Sequence, residues 1–526
     1  MRVNNKNPSG PGGTPFTVVH SAPQHEPHGA TSKACDKTPP NPDSIVKLIE
    51  TQAKTNPHHT AITFDNEKLS YGELDQRSNA LVNIFQENKL KPGDLIGIYV
   101  NRGFNFITAL VACMKCELTF IPIDKNNPSD RINWILNNSE TKFLLTEKKT
   151  RLNLPDDIQH VFIPDKYTFN KNATQTTVNK KNNSQHAYII YTSGSTGKPK
   201  GVLIKQRALE TLVRFQLNTF KLSPSDHVLG FSSEGFDAAI WEIFSTLAAG
   251  ATLHIFPRKK FISPRTLNKF LQNQKITIAT VPPCLLRLMH PSNGSALRLL
   301  FSAGESCTRE IVDTWGSKTT FINAYGLAET TVCATISKPL NPGDNINIGK
   351  PINGAEIFIL DEHKKPVPTG KQGEIYIAGD LLASRYINND EMNSKRFLTI
   401  SEVSNKTLLK TGDIGIKLED GSFKFIGRVD NQINLNGIRI EPEEIESQLL
   451  TLPNVEECLV LAKTKNQRTH IIAYVKVSNP KTIDLKLLRE ELKKKLPKHM
   501  IPSAFVTINK MPTTVHNKAD RLMMQS

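Results

Sequence analysis

The residues most open to a chemical reading lie in AYIIYTSGSTGKPKGVLI, residues 187–204, where an apolar β-type run passes into small hydroxyl residues, glycines and then Lys198 and Lys200. Glycines at 194, 197 and 201 let backbone N–H groups approach an anion, Thr192, Ser193, Ser195 and Thr196 add hydroxyl donors, and lysine supplies charge. Such a segment is expected to cradle phosphate. It is not the loop of the G-x-x-x-x-G-K-[ST] type, because Pro199 follows Lys198 and Thr192 stands where the first glycine belongs. The bland alternative is a flexible surface loop, but such a run directly after a strand has few purely structural uses.

The elements that would position this loop read as layered α/β structure. Strand-like runs LIGIYV (95–100), AYIIYT (187–192), TLHIF (252–256) and ITIATV (276–281) alternate with helical stretches such as ALVNIFQENK (80–89) and TLNKFLQNQ (266–274), which predicts mostly parallel sheets. After about residue 345, AEIFIL, GEIYIAG and GSFKFIG follow closely and predict a small β-rich subdomain. The last hundred residues read as a compact α+β unit, beginning at the polar, turn-like segment GRVDNQINLNG, with a hinge at Asp430. Residues 1–42 are rich in Pro, Gly, Asn, Ser and His and predict a disordered tail. Order is expected to begin with SIVKLIETQAKTNP, capped by Asp43 or Ser44. The expected organisation is therefore a large core over 43–428 and a mobile lid over 429–526.

A chain of 526 residues exceeds the size of a single hydrophobic core. Its 38% hydrophobic and 22% charged content is that of a soluble globular protein. The net charge of +16 is spread along the chain with no DNA- or RNA-binding signature, so no nucleic-acid partner is expected; the charge suits ATP or an acidic carrier domain. Seven cysteines without a disulfide framework suit a reducing compartment. Cys113 and Cys116 form C-x-x-C within an apolar helical stretch and have no second pair, which favours core packing over zinc. No membrane span or leader is apparent, so a cytoplasmic location is expected.

Further motifs follow in order: NAYGLAETTVCAT (323–335), GEIYIAGDLLASRY (373–386), LKTGDIGI (409–416), GRVDNQINLNGIRIEPEEIE (427–446) and MPTTVHNKADR (511–521). Over residues 45–525 the sequence resembles the adenylate-forming superfamily. Within it, FDAAIWEIFSTLAAGATLHI (236–255) and the segment 90–124 make it similar to the amino-acid adenylation domains of nonribosomal peptide synthetases. The resemblance implies ATP and Mg²⁺ as cofactors and an aminoacyl-AMP product, passed to a phosphopantetheine thiol on a carrier protein. It implies that Lys518 bridges carboxylate, ribose and α-phosphate, and that Glu329 holds Mg²⁺. Asp413 would accept the ribose hydroxyls with Arg428 beside it, and Tyr325 would stack on adenine with Asn323 reading its amino edge. Gly304, Ala324, Gly326 and Thr330 would complete the nucleotide site.

An amino acid brings a cationic ammonium group that needs a buried counter-charge. Asp237 matches the aspartate that fills this role in the family. The family's side-chain pocket corresponds to Ala238, Trp241, Thr280, Phe301, Ala303, Ala324, Val332 and Cys333, an apolar slot with aromatic walls and small alanines. This implies phenylalanine as the substrate, ahead of tyrosine, tryptophan or leucine. The sequence departs from the family at Asn517, Leu327-Ala328, Gln206, Asn434 and Asn436, and those in the last domain bear on the second conformation, used for thiol transfer. An acyl- or aryl-CoA ligase lacks a general need for Asp237, and a D-alanyl-type ligase would leave the slot poorly filled. A dead nucleotide-binding regulator would not need Lys518, Glu329 and Asp413 together. No carrier module is found in the sequence, so the thiol is expected on another protein or on coenzyme A.

Overall fold

Ser44 caps the first helix, Ile45–Thr55, its side chain accepting from the Lys47 amide at 3.3 Å. A capping box starts the second, Tyr71–Glu87: Ser70 accepts from the Glu73 amide while the Glu73 carboxylate accepts from the Ser70 N–H at 2.8 Å. These elements open a computed structural model that describes residues 44–148, 152, 154, 157–164, 185–258, 263–292, 294–435, 437–465, 468–478, 484–512 and 521–525. The tail over 1–42, Asp43, Asn436, Asn517 and Lys518 lie outside the described residues.

Two large sheets sandwich a helical layer. The nine-stranded sheet has six parallel strands at its centre, in the order Thr320–Tyr325, Leu299–Ala303, Ile278–Val281, His227–Gly230, Thr252–Ile255 and Thr60–Phe64, with antiparallel strands at both margins. The seven-stranded sheet is parallel from Gln159–Phe162 through His186–Thr192, then turns antiparallel at Lys200–Lys205 and Arg385–Tyr386. Helices Phe104–Lys115 and Asp237–Ala249 are apolar on nearly every face, which only a position packed on both sides satisfies. One hydrophobic cluster accordingly joins both sheets through them, with Ile62, Leu253, Ile96 and Phe120 each at most 1% exposed. Cys113 and Cys116 are free thiols inside it.

A separate antiparallel sheet of five strands follows, from Ala355–Leu360 to Phe423–Arg428. The segment read as a polar turn is in fact a hairpin: Ile433–Leu435 pairs antiparallel with Ile438–Ile440. Its period-2 alternation is short and interleaved with asparagine and arginine, which hid the strand pattern. Ile433 and Ile440 turn inward to a second core, shared with Ile445, Val460, Ala473, Leu492 and Met500. Val455–Lys465, Arg468–Val477 and Ala504–Thr507 form its three-stranded sheet. Among the described residues no helix is long and apolar enough to cross a membrane.

Candidate active site

A cavity of about 890 Å³ opens at the carboxyl ends of the parallel strands Ile278–Val281, Leu299–Ala303 and Thr320–Tyr325. In open parallel sheets this is where ligands bind, because loops and helix starts converge there. The strands place Thr280, Phe301, Ala303 and Ala324 on its wall, and the first turns of Asp237–Ala249 add Asp237, Ala238 and Trp241. Val332 and Cys333 arrive by a strained turn. Thr331 and Val332 have φ of 52° and 72°, a left-handed conformation that costs a β-branched residue about 1–3 kcal/mol. Hydrogen bonds from Thr331 Oγ1 to Leu381 O at 2.7 Å and from the Ala334 amide to Tyr325 O at 2.8 Å hold it there. All nine residues assigned to the substrate slot thus line one cavity.

Trp241 and Phe301 meet edge to face in that wall. Asp237 is partly exposed to the cavity and makes no ion pair among the described residues. Burial raises its carboxyl to about 6, against the opposing pull of its own and the Ala238 backbone N–H groups. The cavity as a whole is more polar than the slot, since Arg258 and Glu305 also reach it.

The loop after His186–Thr192 has the expected tight form. Gly197 has φ of +82°, and a Cβ there would lie 2.4 Å from Ser447 Oγ. The Thr192 hydroxyl is buried with no partner among the described residues, the kind of orphan donor that a phosphate oxygen satisfies. Ser193 is buried, whereas Ser195 and Thr196 are exposed. Gly201 is not part of the cradle: it lies inside the strand Lys200–Lys205, against Ile387 and Tyr191. Lys200 begins that strand, only 4% exposed, its ammonium 3.2 Å from Glu329 Oε1 and 4.9 Å from the Tyr386 ring centroid. Burial, then Arg439, lowers its pKa to about 8.

Glu329 is 1% exposed in a 3₁₀ turn. It accepts from Tyr386 OH at 2.7 Å and from Arg439 Nη1 at 3.1–3.2 Å. Burial alone would push its carboxyl up, but Arg439 and Lys200 outweigh it and keep the group ionised. A hard carboxylate is the kind of ligand that suits a divalent cation. Among the described residues no group of three His, Cys, Asp or Glu could hold one, so water or phosphate oxygens would complete its shell. Thr330 instead closes the turn, its hydroxyl accepting from Leu327 N at 2.9 Å.

On the opposite wall Tyr325 OH donates to Asp413 Oδ2 at 2.6 Å. Arg428 pairs with the other Asp413 oxygen and with Asp430, whose carboxylate takes both its Nε and Nη2 at 2.6 Å. Asn323 donates to Asn347 O at 2.8 Å and lines the cavity with Tyr325 and Gly326. Gly304, at φ of +89°, is met by the hairpin turn, with Gly437 Cα 3.2 Å from where its Cβ would be.

Sequence reasoning missed Arg439, Tyr386, Glu444 and Arg131. The first three lie within recognised motifs, so their position was a signal. Their partners are more than fifty residues away, and Arg131, paired with Glu444, carries no local signal.

Residues 49–387 match the model of the AMP-binding enzymes, and 444–518 that of the AMP-binding enzyme C-terminal domain. Bacitracin synthase 3 of Bacillus licheniformis is 38% identical over 92% of the chain, and tyrocidine synthase 1 of Brevibacillus parabrevis 34% over 91%. The chain spans only 8% and 44% of those two proteins' lengths. An artificially fused adenylation–PCP di-domain of a peptide synthetase from Klebsiella oxytoca has the same fold, with a TM-score of 0.76 at 22% identity over 88% of this chain and 93% of that one. With the cavity, the glycine loop and both family matches in one chain, it belongs to the AMP-binding enzymes, as an adenylate-forming ligase like the adenylation domains of peptide synthetases.

Proposed function

We propose that the chain joins the carboxylate of phenylalanine to AMP, releasing pyrophosphate, and then passes the aminoacyl group to the phosphopantetheine thiol of a carrier protein. The observation that carries the amino-acid reading is Asp237: a carboxyl that shares its cavity wall with aromatic and small apolar residues and makes no ion pair among the described residues. A substrate ammonium supplies the missing charge.

In this reading the Gly194–Gly197 backbone, with Thr192, Ser193, Ser195 and Thr196, holds the triphosphate. Tyr325, Asn323, Gly304, Ala324 and Gly326 hold adenine, and Asp413 with Arg428 holds the ribose. Magnesium bound through Glu329 supplies positive charge at the phosphates, and Lys518 supplies it at the attacking carboxylate and the α-phosphate. Residues 43–428 act as the core, and 429–526 as a body that turns about Asp430. The separate hydrophobic core of that body supports such a division.

Amino-acid-dependent exchange of pyrophosphate into ATP over a panel of substrates tests the reading. Exchange with phenylalanine above all others is expected, and a preference for a small, acidic or basic amino acid would overturn the pocket assignment.

A further inference from the structure

Strand His227–Gly230 ends where the chain turns toward Asp237. Phe231, Ser233 and Glu234 beyond it are buried, so the backbone there needs partners that the sheet no longer offers. Charged side chains supply them. Glu242, 3% exposed, accepts from the Phe231 amide at 2.9 Å, from the Ser232 amide at 3.0 Å and from the Ser232 hydroxyl at 2.9 Å. Arg102 donates to Gly230 O, Ser232 O and Glu234 Oε1, each at 2.7 Å. Arg258 donates to Phe231 O at 2.6 Å, and Asp124 accepts from the Ser233 hydroxyl at 2.6 Å.

The two principal charges come from different layers. Arg102 follows strand Leu95–Tyr99 of the seven-stranded sheet, whereas Glu242 lies on Asp237–Ala249, the helix that Asp237 itself begins. Between them the held segment is short: the Phe236 amide closes a turn on Ser233 O at 3.0 Å, and the helix starts at the next residue. Phe236 gives that helix no side-chain cap, which leaves the place of its first turn to the segment before it. Charge-assisted hydrogen bonds are about twice as strong as neutral ones, so a segment held by them is stiffer than a loop satisfied by water.

We propose, on the reading of Asp237 as the ammonium site, that Arg102 and Glu242 are positioning residues for it: together they fix the turn Gly230–Phe236 and so hold the Asp237 carboxyl where a substrate's α-ammonium meets it. Neither lines the cavity. Their effect falls chiefly on substrates that carry the ammonium, because an ion pair depends on one distance and direction, while Thr280, Phe301, Ala303 and Ala324 of the aromatic slot stand on other strands.

Pyrophosphate exchange by the full chain with phenylalanine and with 3-phenylpropionate tests this in Arg102→Lys, Glu242→Gln and Asp237→Ala, with melting curves to confirm folding. Lysine keeps the charge of Arg102 without its fork, and glutamine keeps the shape of Glu242 with one acceptor oxygen fewer. A displacement of about 1 Å can cost about a hundredfold, so phenylalanine kcat/KM should fall about ten- to a hundredfold in Arg102→Lys and by less in Glu242→Gln, while 3-phenylpropionate keeps most of its activity. Added to Asp237→Ala, neither change should lower phenylalanine use further, because the charge they position is gone. If Arg102→Lys does not fold, Glu242→Gln carries the comparison. Equal losses for the two substrates, unchanged phenylalanine use, or a loss that persists in full on Asp237→Ala overturns the proposal. Asp237→Ala by itself separates the failures: a selective loss of phenylalanine there but not in the other variants sinks the positioning role alone, whereas equal losses there sink the amino-acid reading with it.

Discussion

The indole of Trp241 meets the ring of Phe301 edge to face, with centroids 5.4 Å apart and planes at 84°. Phe220 also meets Phe301 edge to face, at 4.9 Å and 82°. A ring packed against two others keeps the shape of the slot fixed, and shape then becomes a source of selectivity.

Phenylalanine is therefore expected to exceed tyrosine by roughly ten- to a hundredfold in kcat/KM, because an unpaired buried hydroxyl costs about 1–3 kcal/mol. Leucine should suffer comparably for a different reason, the loss of about 0.5–1.5 kcal/mol of aromatic contact together with unfilled volume. Ala303→Gly or Ala324→Gly should relieve larger aromatic substrates and leave leucine where it was. Pyrophosphate exchange with the three amino acids checks this, and equal gains for leucine would count against the slot as drawn.

Asp237→Ala should weaken phenylalanine use by several kcal/mol, about 3–5 if the ion pair is fully buried, while 3-phenylpropionate suffers far less. The wild-type pH profile gives a second measure. Burial, then nearby Glu329, raises the Asp237 carboxyl to about 6, while its backbone amides and Arg439 oppose the rise. Only the ionised form pairs with ammonium, so phenylalanine affinity should rise with pH through about 6 and level off above it. Asp237→Asn should flatten that rise, and a profile unchanged in the variant would assign the titration elsewhere.

Lys518→Ala is expected to leave ATP and phenylalanine binding largely intact and to lower adenylation by about a hundredfold or more, the scale for one positioned charge. Equilibrium binding alongside single-turnover adenylation separates the two effects. Near-normal turnover would mean that Asn517, where the family carries glycine, has displaced the lysine from the reaction.

Arg428→Met should destabilise the fold by about 3–5 kcal/mol near neutral pH, because it strips the buried Asp413 of its cation and leaves the half-buried Asp430 with Arg396. Burial already raises the Asp413 carboxyl, and without Arg428 it would rise further. A carboxyl raised above its unfolded value penalises the fold once ionised, so the deficit should shrink as pH falls. Melting curves at pH 5 and 7.5 give the comparison, and a deficit that grows at pH 5 would contradict it.

Much of this molecule was legible along the chain. Alternating apolar runs and helical stretches gave the α/β layers, since strands buried on both faces need continuous apolar sequence. The glycine and hydroxyl run gave the tight loop after His186–Thr192, because few residues but glycine take the positive φ found at Gly197. The motif matches gathered Asp237, Trp241, Phe301 and Cys333 before any strand was placed, and all four line the cavity.

What the sequence by itself could not decide was how charges pair across distance. Glu329 meets Arg439 across 110 residues, and Arg131 meets Glu444 across 313. Neither partner has a local pattern that names the other, because ion pairing depends on position in space and periodicity reports only the near neighbours. The hairpin at Ile433–Ile440 escaped for a related reason: three residues a side are too few for alternation to stand out, and its strands are fixed by the core into which Ile433 and Ile440 point. Local composition determined which elements form and which residues can do chemistry, while tertiary packing decided which charges share a site.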